Sequence, residues 1–180
     1  TVNATYSGSS ETMFEGQLAE LKNCSTPEDF LAYIDGFIAT RFTESYFEIT
    51  LPDELKTSST QAPTWCAFVA SQIVLGAQVW LGTSTVATLL AVGSSGSKRA
   101  FDKHHIFPKN YLNSIGIDKK VDCNQVANFV FIDYQSNIEI SDRAPAEYLL
   151  EYRNRLGEKA FVESCEMNAI PSAIENMTYE

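Results

Sequence analysis

Apolar and polar residues recur along this chain with a period that changes several times, and each change marks an element. A small, polar opening over residues 1–10 reads as a linker or tail, after which Phe14, Leu18 and Leu21 return at helical spacing. Thr26 offers an N-cap, Pro27 suits the first helical position, and Asp29 places a carboxylate in the first turn. Phe30, Leu31, Ile34, Phe37, Ile38 and Phe42 then form one stripe, the pattern of a helix face turned toward a core. From Phe47 the period drops to two: Phe47, Ile49 and Leu51 alternate with Glu48 and Thr50, which predicts a short strand or extended pass closed by Pro52.

Residues 57–97 contain no Asp, Glu, Lys or Arg, and the densest apolar part runs from Trp65 to Leu81. A membrane-spanning helix needs about 20 predominantly apolar residues. Ser71, Gln72 and Gln78 interrupt this run and Gly76 and Gly82 punctuate it, so the reading is a buried helix from near Pro63 to Gly82, with a membrane-associated helix as the alternative. A second short helix over Val86–Val92 stops at Gly93, and Ser94–Ser97 forms a flexible joint. Further on, Val126–Asp133 is a β-rich apolar run with Asn128 at its head, and Tyr134–Ser136 reads as a polar turn leading to Asn137. Asp142 is placed to cap a helix that starts at Pro145 and ends at Gly157. The pattern predicts an α+β, mostly helical protein. A helical lead-in over 11–97 would pack against residues 98–180 as one compact unit.

Composition keeps this picture globular: 44% of the 180 residues are hydrophobic and 12% aromatic, enough for a proper core. The net charge of -10 argues against a surface that grips nucleic acid everywhere, because such affinity comes from many Lys and Arg contacts to phosphates. Residues 98–120 reverse the sign, with six cations (Lys98, Arg99, Lys103, Lys109, Lys119, Lys120) against Asp102 and Asp118. A local positive segment suits a phosphate-bearing substrate; a solvated loop with ordinary lysines is the alternative. Cys24, Cys66, Cys123 and Cys165 include no C-x-x-C pair, which argues against a zinc ribbon and leaves reduced core thiols as the expected state. No basic segment followed by an apolar one opens the chain, so no secretory signal is visible and a cytoplasmic location is expected. Thr1 is not an initiator methionine, and the end at Met177–Glu180 looks abrupt, which reads as a piece excised from a longer chain.

That positive segment holds both histidines of the protein, His104 and His105, side by side in Asp102-Lys-His-His-Ile-Phe-Pro108. Histidine titrates near neutral pH and is the commonest metal ligand, so the pair is a candidate site; a solvated pair on a loop is the bland alternative. Regular strand alternation would point the two rings to opposite faces, so a strand end or a distortion is needed for both to serve one site.

Three blocks in order then carry a resemblance. They are His104-His-Ile-Phe-Pro-Lys-Asn-Tyr-Leu112, Val126-Ala-Asn-Phe-Val130 and Asn137-Ile-Glu-Ile-Ser-Asp-Arg-Ala-Pro-Ala-Glu-Tyr-Leu149. Their residues and spacing resemble the HNH (His-Me finger, ββα-metal) nuclease motif. Within that group they are similar to the C-terminal nuclease domain of GmrSD-type and SspE-like modification-dependent restriction enzymes. The similarity covers roughly residues 98 to 150, and only loosely the helical lead-in.

The resemblance implies a ββα-metal core followed by C-terminal helices, and a metal-dependent DNA endonuclease, nicking with little sequence preference, that serves phage defence. It implies His105 as general base, Asn128 as the asparagine that ties the loop and orients the base, and His104 with Asn137 as ligands of one divalent metal. Asp102, two residues from His104, could replace or supplement it as a ligand. Imidazole, amide and carboxylate donors favour Mg²⁺ or Mn²⁺ over Zn²⁺. Lys103, Lys109 and Arg143 are candidates for phosphate contacts, though each also reads as ordinary surface charge. An acidic domain with one small basic face binds DNA weakly, so targeting is expected from a further part of the chain, an N-terminal modification-sensing, nucleotide-hydrolysing domain in the family. A non-catalytic DNA-binding or interaction module with the same fold is the second reading.

Overall fold

The computed structural model describes residues 9–91 and 101–179, and of Phe101 and Asp102 it describes the backbone alone. The predicted joint at Ser94–Ser97, the stop at Gly93, and Lys98 and Arg99 lie outside the described residues, as does most of the predicted opening linker. Among the described residues the protein is mostly helical, with one small antiparallel sheet of two strands. Contacts within the chain gather into two units. The first holds the described residues up to Leu55 with Thr60–Ala67, and the second holds Lys56–Ser59 and the chain from Phe68 onward.

In the first unit, α1 (Ser10–Leu21) and α2 (Pro27–Arg41) form where the spacing placed them. The start of α2 is a reciprocal cap: Thr26 Oγ1 accepts from Asp29 N at 3.1 Å, and the Asp29 carboxylate accepts from Thr26 N at 3.0 Å. Two expectations are corrected here. The stripe on α2 is not core: Phe30, Leu31 and Ile38 are 46%, 59% and 46% exposed, and neither helix has a buried residue. Helical spacing dictates which side chains share a face but not what covers it. The predicted strand over Phe47–Leu51 is instead a π-helical turn, Tyr46–Thr50, running into α3 (Leu51–Glu54). A lone strand leaves its backbone groups without a ladder, whereas here Thr43 accepts from Tyr46 N and the rings of Phe42, Tyr46 and Phe47 pack together. Pro52 sits in the first turn of α3, where its missing N–H is harmless.

α4 (Pro63–Val74) is shorter than predicted. Its chain turns at Gly76, whose φ of +65° provides the left-handed closure that glycine adopts without a Cβ clash, and Ala77 N returns to Gln72 O at 2.8 Å. The rest of the apolar run is extended. Trp80 N donates to Phe131 O at 2.8 Å and Trp80 bridges Ile132 in parallel, which buries Val79 and Trp80 completely. Thr85 caps α5 (Val86–Leu90). Among the described residues, no helix is long and apolar enough to cross a membrane.

β1 (Phe101–His105) pairs antiparallel with β2 (Phe129–Asp133), setting Lys103 opposite Phe131, His104 opposite Val130 and His105 opposite Phe129. Between them lie α6 (Lys109–Ser114), α7 (Lys120–Cys123) and a 3₁₀ turn, Val126–Asn128. The stretch expected as a polar turn after β2 is the first turn of α8 (Tyr134–Ile140), because Asp133 caps it by accepting from Ser136 N at 2.9 Å. Asp142, expected to cap the next helix, accepts from Asn110 Nδ2 instead, and α9 (Pro145–Leu156) starts without a side-chain cap. Gly157 joins α9 to α10 (Glu158–Met167). Trp80, Val130, Ile132, Ile140, Tyr148, Leu149, Tyr152 and Phe161 form the centre of one core that wraps both faces of β2. All four cysteines are free thiols.

Candidate active site

Every side chain of the site hangs on the two strands or on the segments that leave them. Where β1 ends, Ile106–Pro108 must turn away, and their backbone groups need partners in a buried setting. Asn128 supplies them. Its Oδ1 accepts from Phe107 N at 2.8 Å, and its Nδ2 donates to Phe107 O at 3.2 Å and Cys123 O at 3.0 Å. The backbone closes the same clamp, with Ile106 N donating to Asn128 O at 3.0 Å. From the other side Tyr148, fully buried on α9, donates its hydroxyl to Ile106 O at 2.6 Å. The residue that follows His105 is thus gripped on both its N–H and its carbonyl.

The two histidines keep strand alternation. His104 is buried, and its Nδ1 donates to Asn137 Oδ1 on α8 at 2.7 Å. His105 stands at the strand end, its ring edge-on to Phe129 at 4.8 Å, with Nε2 2.8 Å from Asn124 Oδ1. Lys103, two positions earlier on the same face, lays its ammonium 3.9 Å from the centre of that Phe129 ring. A cleft of about 290 Å³ nevertheless reaches both rings and is lined by Lys103, His104, His105, Pro108, Lys109, Asn137, Ser141 and Asp142. His105 is the last residue of β1, and the cleft meets both rings at that strand end.

Electrostatics favour a neutral imidazole. Burial holds His105 below its ordinary value of 6.5, the Asn124 bond opposes that, and Lys109 and Lys103 add to the lowering. Burial, then Lys109, likewise lowers Lys103 from 10.5. At neutral pH the cleft therefore holds a neutral His105 ring, with Lys103 and Lys109 beside it.

Of the residues singled out from the sequence, His104, His105, Asn137, Lys103 and Lys109 meet at this cleft, with Asn128 directly behind it. Asp102 pairs with Ile132 through its place in β1, and its side chain lies outside the described residues. Arg143 does not line the cleft; it forms an ion pair with Glu151 at 2.6 Å. Four residues were not anticipated as part of the site: Asn124, Tyr148, Ser141 and Asp142. Ser141, Asp142 and Tyr148 lay within a block that resembles the nuclease motif; Asn124 did not. Asn124 has no signal in sequence beyond being polar before an apolar strand.

His104 Nδ1 and Asn137 Oδ1 lie 2.7 Å apart, and for the pair to hold a divalent cation Nδ1 must give up the hydrogen it donates, the ring then carrying its hydrogen on Nε2. An amide oxygen beside an imidazole lone pair suits Mg²⁺ or Mn²⁺. Among the described residues, no three His, Cys, Asp or Glu gather around such a point. No protein-family model matches the chain, and neither a curated protein nor a solved structure matches it.

Proposed function

We propose that this protein is a metal-dependent endonuclease of the HNH type, which nicks DNA by hydrolysing a phosphodiester bond. The observation that carries the reading is the Asn128 clamp, which holds the loop behind His105 while His104 and Asn137 stand together in the same cleft. The resemblance implies the matching roles for these residues: base, loop tie and ligand pair.

Hydrolysis needs an activated water, neutralisation of charge on the phosphoryl oxygens, and relief for the departing oxygen. His105, neutral at pH 7, takes the proton of the attacking water as its oxygen bonds to phosphorus and the bond to the leaving oxygen breaks. Lys103 and Lys109 attract the phosphate to the cleft and offset its charge. Asn128 and Tyr148 keep the loop from drifting, so His105 meets each substrate in one orientation. A cation at His104 and Asn137 would polarise the phosphate and stabilise negative charge on the departing oxygen. With little base-reading surface to call on, we assign target choice to a further sensing domain, and the biological role to phage defence, as the resemblance implies.

The alternative reading is a module of the same fold that binds DNA without cutting it. One experiment separates them. Supercoiled plasmid should become open-circular in Mg²⁺ or Mn²⁺, and not after chelation; His105→Ala should lower the rate about 10²- to 10⁴-fold with the fold intact. Equal nicking by His105→Ala would sink the base assignment, and DNA binding without nicking by either protein would favour the module.

A further inference from the structure

Among the described residues, Asn124 makes the hydrogen bond to the His105 ring that bears on its tautomer, and the ring's chemistry makes that bond decisive. Asn124 ends α7, 6% exposed, with its backbone N–H committed to Lys120 O. Its Oδ1 lies 2.8 Å from His105 Nε2. An amide oxygen can only accept, so Nε2 must carry the hydrogen, and the lone pair of the neutral ring is then on Nδ1. Phe129 packs edge-on against the same ring, which limits rotation about the Cβ–Cγ bond that would exchange the two nitrogens.

We propose that Asn124 is a positioning residue that holds His105 as its Nε2–H tautomer and so makes Nδ1 the atom that accepts the proton of the attacking water. The proposal rests on the reading of His105 as the general base. It adds the residue that selects which nitrogen acts. The proton moves from water to Nδ1 as the water oxygen bonds to phosphorus and the bond from phosphorus to the leaving oxygen breaks; the Nε2 proton stays on Nε2, shared with Asn124, and the resulting imidazolium is stabilised by that same amide oxygen. Asn124 does not line the cleft, so its removal should act on turnover rather than on DNA affinity.

The chain has only two histidines, so ¹⁵N-detected imidazole spectra resolve them, with His105→Gln assigning the signals. At a pH where both rings are neutral, His105 should show a protonated Nε2 and a bare Nδ1. Asn124→Ala should lose that single-tautomer signature and lower kcat about 10- to 100-fold with KM for plasmid little changed. Asn124→Asp keeps an acceptor oxygen in place and should retain the signature even if Asn124→Ala folds poorly. A wild-type ring protonated on Nδ1 overturns the proposal, as does an Asn124→Ala protein that keeps both the signature and kcat. The spectra need no activity: an Nε2–H ring in a protein that nicks no DNA supports the hydrogen-bond assignment and overturns the nuclease reading instead.

Discussion

Replacing Asn128 by alanine tests the central piece of the site without reference to any activity. The substitution withdraws three hydrogen bonds, to Phe107 N, Phe107 O and Cys123 O, at a residue only 2% exposed. At about 1 kcal/mol net each the loss is about 3 kcal/mol, rising toward about 5 if the freed backbone groups stay out of reach of water. Against a total stability of about 5–15 kcal/mol this is a large fraction. It should lower Tm by about 6–12 °C for a domain of this size. Asn128→Asp sharpens the test. An aspartate keeps an acceptor for Phe107 N but turns its second oxygen toward two carbonyls, so it should be at least as damaging as alanine. The assay is urea unfolding followed by the fluorescence of Trp80, which is fully buried in the core of the same unit, in a Trp65→Phe background. A loss below about 1 kcal/mol in Asn128→Ala, or an Asn128→Asp protein more stable than the alanine variant, would refute the clamp.

Three further outcomes follow from other contacts. Tyr148→Phe deletes the hydroxyl that donates to Ile106 O and should cost about 1–2 kcal/mol, less than Asn128→Ala, in the same urea assay; a neutral change would mean that water or a neighbour serves that carbonyl. Lys109→Ala should raise KM for plasmid with little change in kcat, and flatten the slope of log KM against log salt by about one; an unchanged slope would remove Lys109 from the phosphate path. Burial raises the Tyr179 phenol from 10.0 to about 12, with Cys123 and Asp122 adding to the rise. The folded state holds that proton more tightly, so its stabilisation is complete below about pH 10 and is lost as pH rises toward about 12. Over that window the urea midpoint should fall more steeply in the wild type than in Tyr179→Phe, and parallel curves would contradict the assignment.

The candidate site was legible in the sequence to the extent that it is local. His104, His105, Asn128 and Asn137 could be picked out because the β-run, its polar borders and the word around the doublet lie within a few residues of each. Asn124 could not. Its role depends on α7 delivering one amide to the end of β1, 19 residues away, and nothing in the spacing encodes that meeting. Arg143 illustrates the opposite limit. Its charge fits a phosphate contact, but Glu151, eight residues on and two turns into α9, takes the guanidinium.

The sequence by itself determined the features that neighbours in the chain enforce. Thr26, Pro27 and Asp29 start α2, Pro145 and Gly157 bound α9, and alternating runs place His104 and His105 on one strand beside another that opens after Asn128. Each depends on backbone groups and side chains a few bonds apart, which pattern describes well. The tertiary structure decided the rest. It turned Tyr46–Thr50 into a π-helical segment, left the α2 stripe exposed, ended α4 at Gly76 and drew Trp80 alongside β2. It also brought His104 to Asn137 and His105 to Asn124. Burial and pairing are properties of what arrives through space, and for the two histidines that arrival gives one ring an amide partner on α8 and the other an amide partner at the end of α7.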